Sequence, residues 1–140
     1  MNAFYIAGIV PEQDGSGCSV YFPDVPQVAA GGESVEEAIC NATDGLYLAL
    51  RDMAEQNAPL PVPSALDVVR EKVRAEREAD GLPFPDGTLF QYIAAPDLDT
   101  VPVRVNVTIP KGILREIDNK ARAHGMTRSG FLAMAAQAYA

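Results

Sequence analysis

The chain has little of what enzyme and metal chemistry draws on. Its 140 residues hold one histidine, two cysteines and no tryptophan. His124 is far in sequence from Cys18 and Cys40, and the cysteines form no C-x-x-C pair, so neither a zinc site nor a nucleophile–base couple is indicated. Both cysteines sit in apolar-patterned segments and are expected as small buried hydrophobes. No phosphate loop or dinucleotide fingerprint occurs. No run approaches the ~18 apolar residues that a membrane span needs. The opening MNAFYIAGIV lacks the charged segment of a signal peptide, so the cytoplasm is the expected compartment. Acids are missing from the strand-like segments FYIAGIV, CSVYF and QVAA. A two-metal hydrolase needs carboxylates converging from such strands. Asp14, Asp24, Asp97 and Asp99 fall instead in turns and breaks, where Asp commonly shapes the backbone. No catalytic residue, metal or cofactor is expected.

Basic residues are scarce in the first hundred positions, which hold five of them against 17 acids, a balance of −12. Residues 101–140 reverse the sign, with six basic residues, two acids and a balance of +4. The overall pI near 4.5 therefore averages two opposed modules. A basic tail suits phosphate backbones, and an acidic body suits a basic protein partner. Acids that merely keep the body soluble explain the charge alone equally well.

The most informative pattern is near the end. Val103, Val105, Val107 and Ile109 alternate with Arg104, Asn106 and Thr108, the period of a strand with one buried face. A helical pattern follows (Ile113, Leu114, Ile117, Ala121), then His124-Gly125, then a second helix start at Thr127. One strand and two short helices bury too little apolar surface to stand alone. Two chains that pair their strands into an antiparallel ribbon would solve this. Val103, Val105, Val107 and Ile109 would then form the dimer core. The polar face would carry Arg104, Asn106 and Thr108 in duplicate, residue types that read base edges in the major groove.

These forty residues resemble the ribbon–helix–helix DNA-binding family, the architecture of the Arc and MetJ repressors. The stretch Gly125-Met126-Thr127-Arg128-Ser129-Gly130-Phe131 resembles that family's turn into its second helix. Thr127 is a sound N-cap, with Met126 and Phe131 at the positions of a hydrophobic staple. The resemblance implies that Thr127, Arg128 and Ser129 clamp a DNA phosphate at the helix start. An ordinary amphipathic edge strand is the alternative for residues 103–109.

In the first hundred residues, Phe4–Val10 and Cys18–Phe22 are expected as a hairpin about the turn PEQDGSG, and Gln27–Ala30 as a short third strand. Ser34 and Glu37 mark a capping box that opens a long helix running to Asn57. Pro59, Pro61 and Pro63 read as an extended spacer. Ser64–Ala79 reads as a second, more charged and more exposed helix, and Thr88–Ala94 as a returning strand. Residues 96–102 (PDLDTVP) read as a linker. The domains are then 1–95, the linker 96–102, and 103–140.

The order of hairpin, Tyr21-Phe22-Pro23-Asp24-Val25-Pro26, Gly-rich turn, Ser34-Val35-Glu36-Glu37-Ala38, long helix and Pro-rich spacer resembles the HicB antitoxin family over nearly the whole chain. The usual pattern has Gly where Gln27 stands here. The resemblance implies an α+β fold: a degenerate ribonuclease-H-like N-terminal domain, an antiparallel sheet with a long helix, followed by a dimeric ribbon–helix–helix domain. It implies an antitoxin that occludes a small basic HicA-type toxin, an mRNA-cleaving ribonuclease. It also implies a homodimer that represses its own operon by binding double-stranded operator DNA. Whether dimers assemble into tetramers stays open. Tyr21, Phe22 and Asp24 are candidate toxin contacts, since aromatics beside a Pro-fixed loop make interface anchors; the alternative is that the aromatics point into the core and Asp24 caps a turn. Two other functions stay open: a stand-alone regulator whose N-terminal domain senses a ligand, and a hydrolase of the ribonuclease H type.

Overall fold

The computed structural model describes residues 3–140. Among them the chain forms, in order, β1 (Phe4–Pro11), β2 (Cys18–Tyr21), β3 (Ala30–Gly32), α1 (Val35–Glu55), α2 (Leu66–Ala79), β4 (Leu89–Ala94), α3 (Lys111–Ala123) and α4 (Arg128–Ala138). The class is α+β. Two compact units are present, the first ending at Arg104 and the second spanning Val105–Ala140. Leu98 packs against the core of the first unit, so part of the expected linker belongs to that unit.

In the first unit an antiparallel sheet runs β3-β2-β1-β4. β1 is central and buried on both faces, which is why FYIAGIV reads as a nearly continuous apolar run. Tyr5, Ala7 and Ile9 join the core beneath α1, whereas Ile6 and Val10 join a second core with Val69 and Val73 of α2. α2 is the more exposed of the two helices, as expected, but it is not free of the core. Its stripe Val69, Val73, Arg77 is fully buried. Gly8 of β1 permits the approach, because a Cβ there would stand 3.0 Å from Val73 Cγ2.

α1 starts as its sequence dictates. The Ser34 hydroxyl accepts the Glu37 N–H at 3.1 Å, and Ala38, Ala42, Leu46 and Leu50 form the buried stripe. Burial of each leucine contributes roughly 1.5–3 kcal/mol. The third strand lies later than expected, at Ala30–Gly32. Gly31 and Gly32 belong to the ladder, opposite Ser19 and Cys18, because the absent Cβ of Gly32 lets the first turn of α1 close on it. The cysteines depart from expectation too: Cys18 is half-buried and Cys40 is exposed.

The Pro-rich segment after α1 is pinned at two points. The Tyr5 hydroxyl donates to the Pro61 carbonyl at 2.6 Å, and Asp24 accepts from the Ser64 amide (2.8 Å) and hydroxyl (2.6 Å). Burial, followed by the nearby Asp24 carboxylate, raises the Tyr5 phenol above its ordinary pKa.

Candidate functional site

The C-terminal unit is built from two capped helices. α3 closes in a Schellman turn, with Gly125 at φ +65, the Gly125 N–H on the Arg122 carbonyl and the Met126 N–H on the Ala121 carbonyl. α4 opens on Thr127, whose hydroxyl accepts the Gly130 N–H at 3.1 Å. Yet these helices bury one residue, Ala121. Val105 and Val107 are each 72 % exposed, and Ile113 is 52 % exposed. Residues 103–109 form no β-ladder in the single chain. The expected strand is thus unrealised here, because a strand needs a hydrogen-bonding neighbour and the chain supplies none at this position.

Arg104, Asn106 and Thr108 are exposed, as are Val103, Val105 and Val107, while Ile109 is half-buried. Of the expected phosphate residues, Thr127 caps the helix, Ser129 is exposed, and Arg128 is already occupied. Its guanidinium grips Asp118 of α3 with two bonds, Nε to Oδ1 at 2.8 Å and Nη2 to Oδ2 at 2.9 Å. That hydrogen bonding holds the Asp118 carboxyl below, and the Arg128 guanidinium above, its ordinary pKa. A carboxyl lowered in the folded state adds stability above its unfolded pKa and loses it as pH falls through the folded one. The family resemblance gave Arg128 to phosphate, and Asp118 went unmarked because only the turn between α3 and α4 brings the two together.

In the N-terminal unit, two of the three expected contact residues are corrected. Phe22 is 3 % exposed and packs in the core under α1. The Asp24 side chain is 7 % exposed, with both carboxylate oxygens on Ser64 and Lys72 Nζ at 3.8 Å. Burying that carboxylate is tolerable because its oxygens accept hydrogen bonds; its role is to tie the loop after β2 to the start of α2. Tyr21 stays half-exposed and lines a groove of about 420 Å³ with Pro23, Pro26, Lys72 and Glu76.

Beside Tyr21 lies Arg77, which sequence reasoning missed. It is fully buried, yet it donates through Nε to the Pro83 carbonyl and through Nη1 to the Tyr21 hydroxyl (3.1 Å), with Glu12 Oε1 3.8 Å from Nη1. Glu12 in turn accepts from Ser19. The only signal for Arg77 was its place four residues after Val73 on an otherwise apolar stripe.

No helix among the described residues is long and apolar enough to cross a membrane, and no group of three or more His, Cys, Asp or Glu among them could hold a metal ion. The N-terminal unit is acidic, and the C-terminal unit is basic with its apolar residues largely uncovered.

Residues 5–136 match the model of a family described as HicB-like antitoxin of bacterial toxin-antitoxin system. Over 53 residues the chain is 40 % identical to Antitoxin HicB 2 of Photorhabdus laumondii subsp. laumondii, a match that spans 38 % of each chain. Among solved structures, the crystal structure of the Burkholderia pseudomallei antitoxin HicB is 28 % identical, with a TM-score of 0.52 over 96 % of this chain and 93 % of that one. A toxin–antitoxin complex from Streptococcus pneumoniae gives a TM-score of 0.57 at 23 % identity, over 98 % of both chains.

Proposed function

We propose, on the premise that this chain belongs to the HicB-like antitoxin family, that it acts through two separate surfaces. It is the antitoxin of a toxin–antitoxin system. Its N-terminal unit occludes a small basic ribonuclease of the HicA type, and its C-terminal unit pairs with a second copy as a ribbon–helix–helix to bind operator DNA and repress the operon. A ribonuclease-H-like ancestry for the sheet belongs to the same proposal. Occlusion asks no catalytic residue of this chain.

The observation that carries the DNA half is the unmet burial of the C-terminal unit. A piece of 36 residues that buries Ala121 and exposes Val105, Val107 and Ile113 has its core still to be made. Pairing residues 103–109 across two chains would cover the valines and supply the missing ladder in one step. Such a ribbon fits the major groove, and two-fold symmetry would present Arg104, Asn106 and Thr108 twice. The acidic balance of the first hundred residues supports the toxin half, since opposite charges steer encounter.

The test of the toxin half is a pull-down between residues 1–104 and the product of an adjacent small basic reading frame. Stable capture with loss of ribonuclease activity is expected, at an on-rate that falls steeply as salt rises. No binding at low salt would favour the ligand-sensing regulator. On the DNA side, Arg104→Ala or Asn106→Ala is expected to cost about 1–3 kcal/mol of operator affinity without loss of the dimer. Asn106→Ala binding as tightly as the wild type would refute base reading by the ribbon.

Asp118→Asn probes the phosphate clamp. It loosens the hold on Arg128 and removes a negative charge near the helix start. Non-specific DNA affinity should therefore rise, and the slope of log affinity against log salt should steepen by about one unit. An unchanged slope would mean that Arg128 serves α3–α4 packing alone.

A further inference from the structure

The acid excess of the N-terminal unit is not spread evenly. Four of the five basic residues in the first hundred lie on α2, where four acids balance them. Arg74 pairs with Glu71 and Glu78, Lys72 reaches Asp24, and Arg77 reaches Glu12. Residues 33–55, which lead into α1 and form it, hold six acids against one base. That base, Arg51, is taken by Glu55 at 3.2 Å. The other five acids form no ion pair among the described residues. The negative field of the unit is therefore strongest on the α1 side.

On α1 the positions turned away from the buried stripe are Glu37, Asn41, Asp44, Leu48, Arg51 and Glu55, four and three residues apart in turn. Leu48 is the one apolar residue among them and is 71 % exposed, with Tyr47 beside it 42 % exposed. A lone exposed leucine is ordinary. This one borders a groove of about 350 Å³ whose opposite wall is the segment from Pro96 to Pro102. That wall is already folded. The Asp99 N–H donates to the Asp97 carboxylate at 3.0 Å, the Val101 N–H donates to the Leu98 carbonyl at 3.2 Å, and Leu98 packs against the core. Asp97 adds a further acid to the rim.

We propose that the basic protein partner docks on this face. An apolar side chain of the partner fills the groove against Leu48 and Tyr47, and lysines or arginines around it meet Glu37, Asp44 and Asp97. This surface presupposes the toxin half of the proposed function and gives it a location. Charge complementarity selects the occupant, since a second acidic unit would be repelled from the same acids. It also sets aside the groove beside Tyr21, where the charges of Lys72 and Glu76 cancel next to the balanced helix α2. The charged rim governs the rate of encounter, and the desolvated apolar centre governs the lifetime of the complex. A groove whose walls are already folded loses little freedom when it is filled.

Binding kinetics of the full chain with the product of the adjacent small basic reading frame test this on three variants. All three substitutions are at exposed positions, so melting temperatures should match the wild type. Leu48→Lys should raise the dissociation constant about 30-fold or more, chiefly through the off-rate. Asp44→Lys and Glu76→Lys change the net charge equally, on different helices. Asp44→Lys should slow association about tenfold at low salt and little at high salt, whereas Glu76→Lys should slow it by no more than about twofold. Wild-type affinity for Leu48→Lys, or equal slowing by the two charge reversals, would overturn this surface and leave the toxin reading standing. No association of the wild-type chain would overturn both. Cys40, exposed one turn before Asp44, gives a readout on the unmodified chain. Its alkylation by iodoacetamide should slow when the partner is bound, and an undiminished rate in the complex would place the contact elsewhere.

Discussion

Val105→Asp abolishes operator binding, with a loss of roughly 1,000-fold or more, while the N-terminal unit melts as before. The size follows from where the residue goes on association. In the single chain Val105 is 72 % exposed, so a carboxylate there costs the isolated fold almost nothing. In a paired ribbon the same position lies between two chains above the helices. An ionised group without a partner costs several kcal/mol in such a place, and it appears twice. Folding and association therefore separate cleanly in one substitution. Circular dichroism should show wild-type helix content, and operator titration should show no specific complex. Val105→Ile should retain binding. A Val105→Asp chain that bound operator normally would end the ribbon model, whatever its melting temperature.

Gly32→Ala strikes the N-terminal unit, where the largest loss of stability is expected. A Cβ on Gly32 would stand 2.6 Å from the Ala38 amide nitrogen and 2.9 Å from the Glu37 carbonyl carbon. Both are backbone atoms in the first turn of α1, so no rotamer change relieves the clash. Either β3 leaves Cys18 or α1 lifts from the sheet, at a cost of about 3 kcal/mol. For a unit of this size that lowers the melting temperature by roughly 10–20 °C. Gly112→Ala provides the contrast, because its added methyl meets nothing within 4 Å and it lies within helix α3. That change should stabilise its helix by a few tenths of a kcal/mol. Equal melting temperatures for Gly32→Ala and wild type would show that the close approach of helix and strand is not needed.

Local signals made much of this fold legible. Ser34 announced α1, the turn PEQDGSG announced the hairpin, and Thr127 announced α4, because each acts on backbone groups within a few residues. What stayed hidden depended on distant partners. Arg77 looked like the charged end of an exposed helix because Tyr21 and Glu12, more than fifty residues away, bring its cost down. Asp24 looked like an interface residue because nothing local reveals that Ser64, forty residues on, needs an acceptor. Gly31 and Gly32 looked like a turn because glycine marks both turns and close approach, and only the packing of α1 decides between them. The alternation of residues 103–109 is plain in the sequence, but its partner lies outside the single chain. The functional residues there could be named while their geometry could not.

The central position of β1 bears on the order in which this protein is made. Its buried side chains emerge from the ribosome before the elements that cover them, and they face two cores whose other halves come late. α1 covers one face once the chain has passed residue 55; α2 and β4, which cover the other face and the outer edge, wait for residues 66–94. At ordinary synthesis rates of about 5–20 residues per second, that is roughly 5–20 s during which Ile6 and Val10 have no permanent neighbours. A message cut short before residue 89 yields a polypeptide whose middle strand is left open along one whole side, a species made for clumping or for disposal. Synthesis through β4 is therefore the step that turns this chain from a hazard into a stable product.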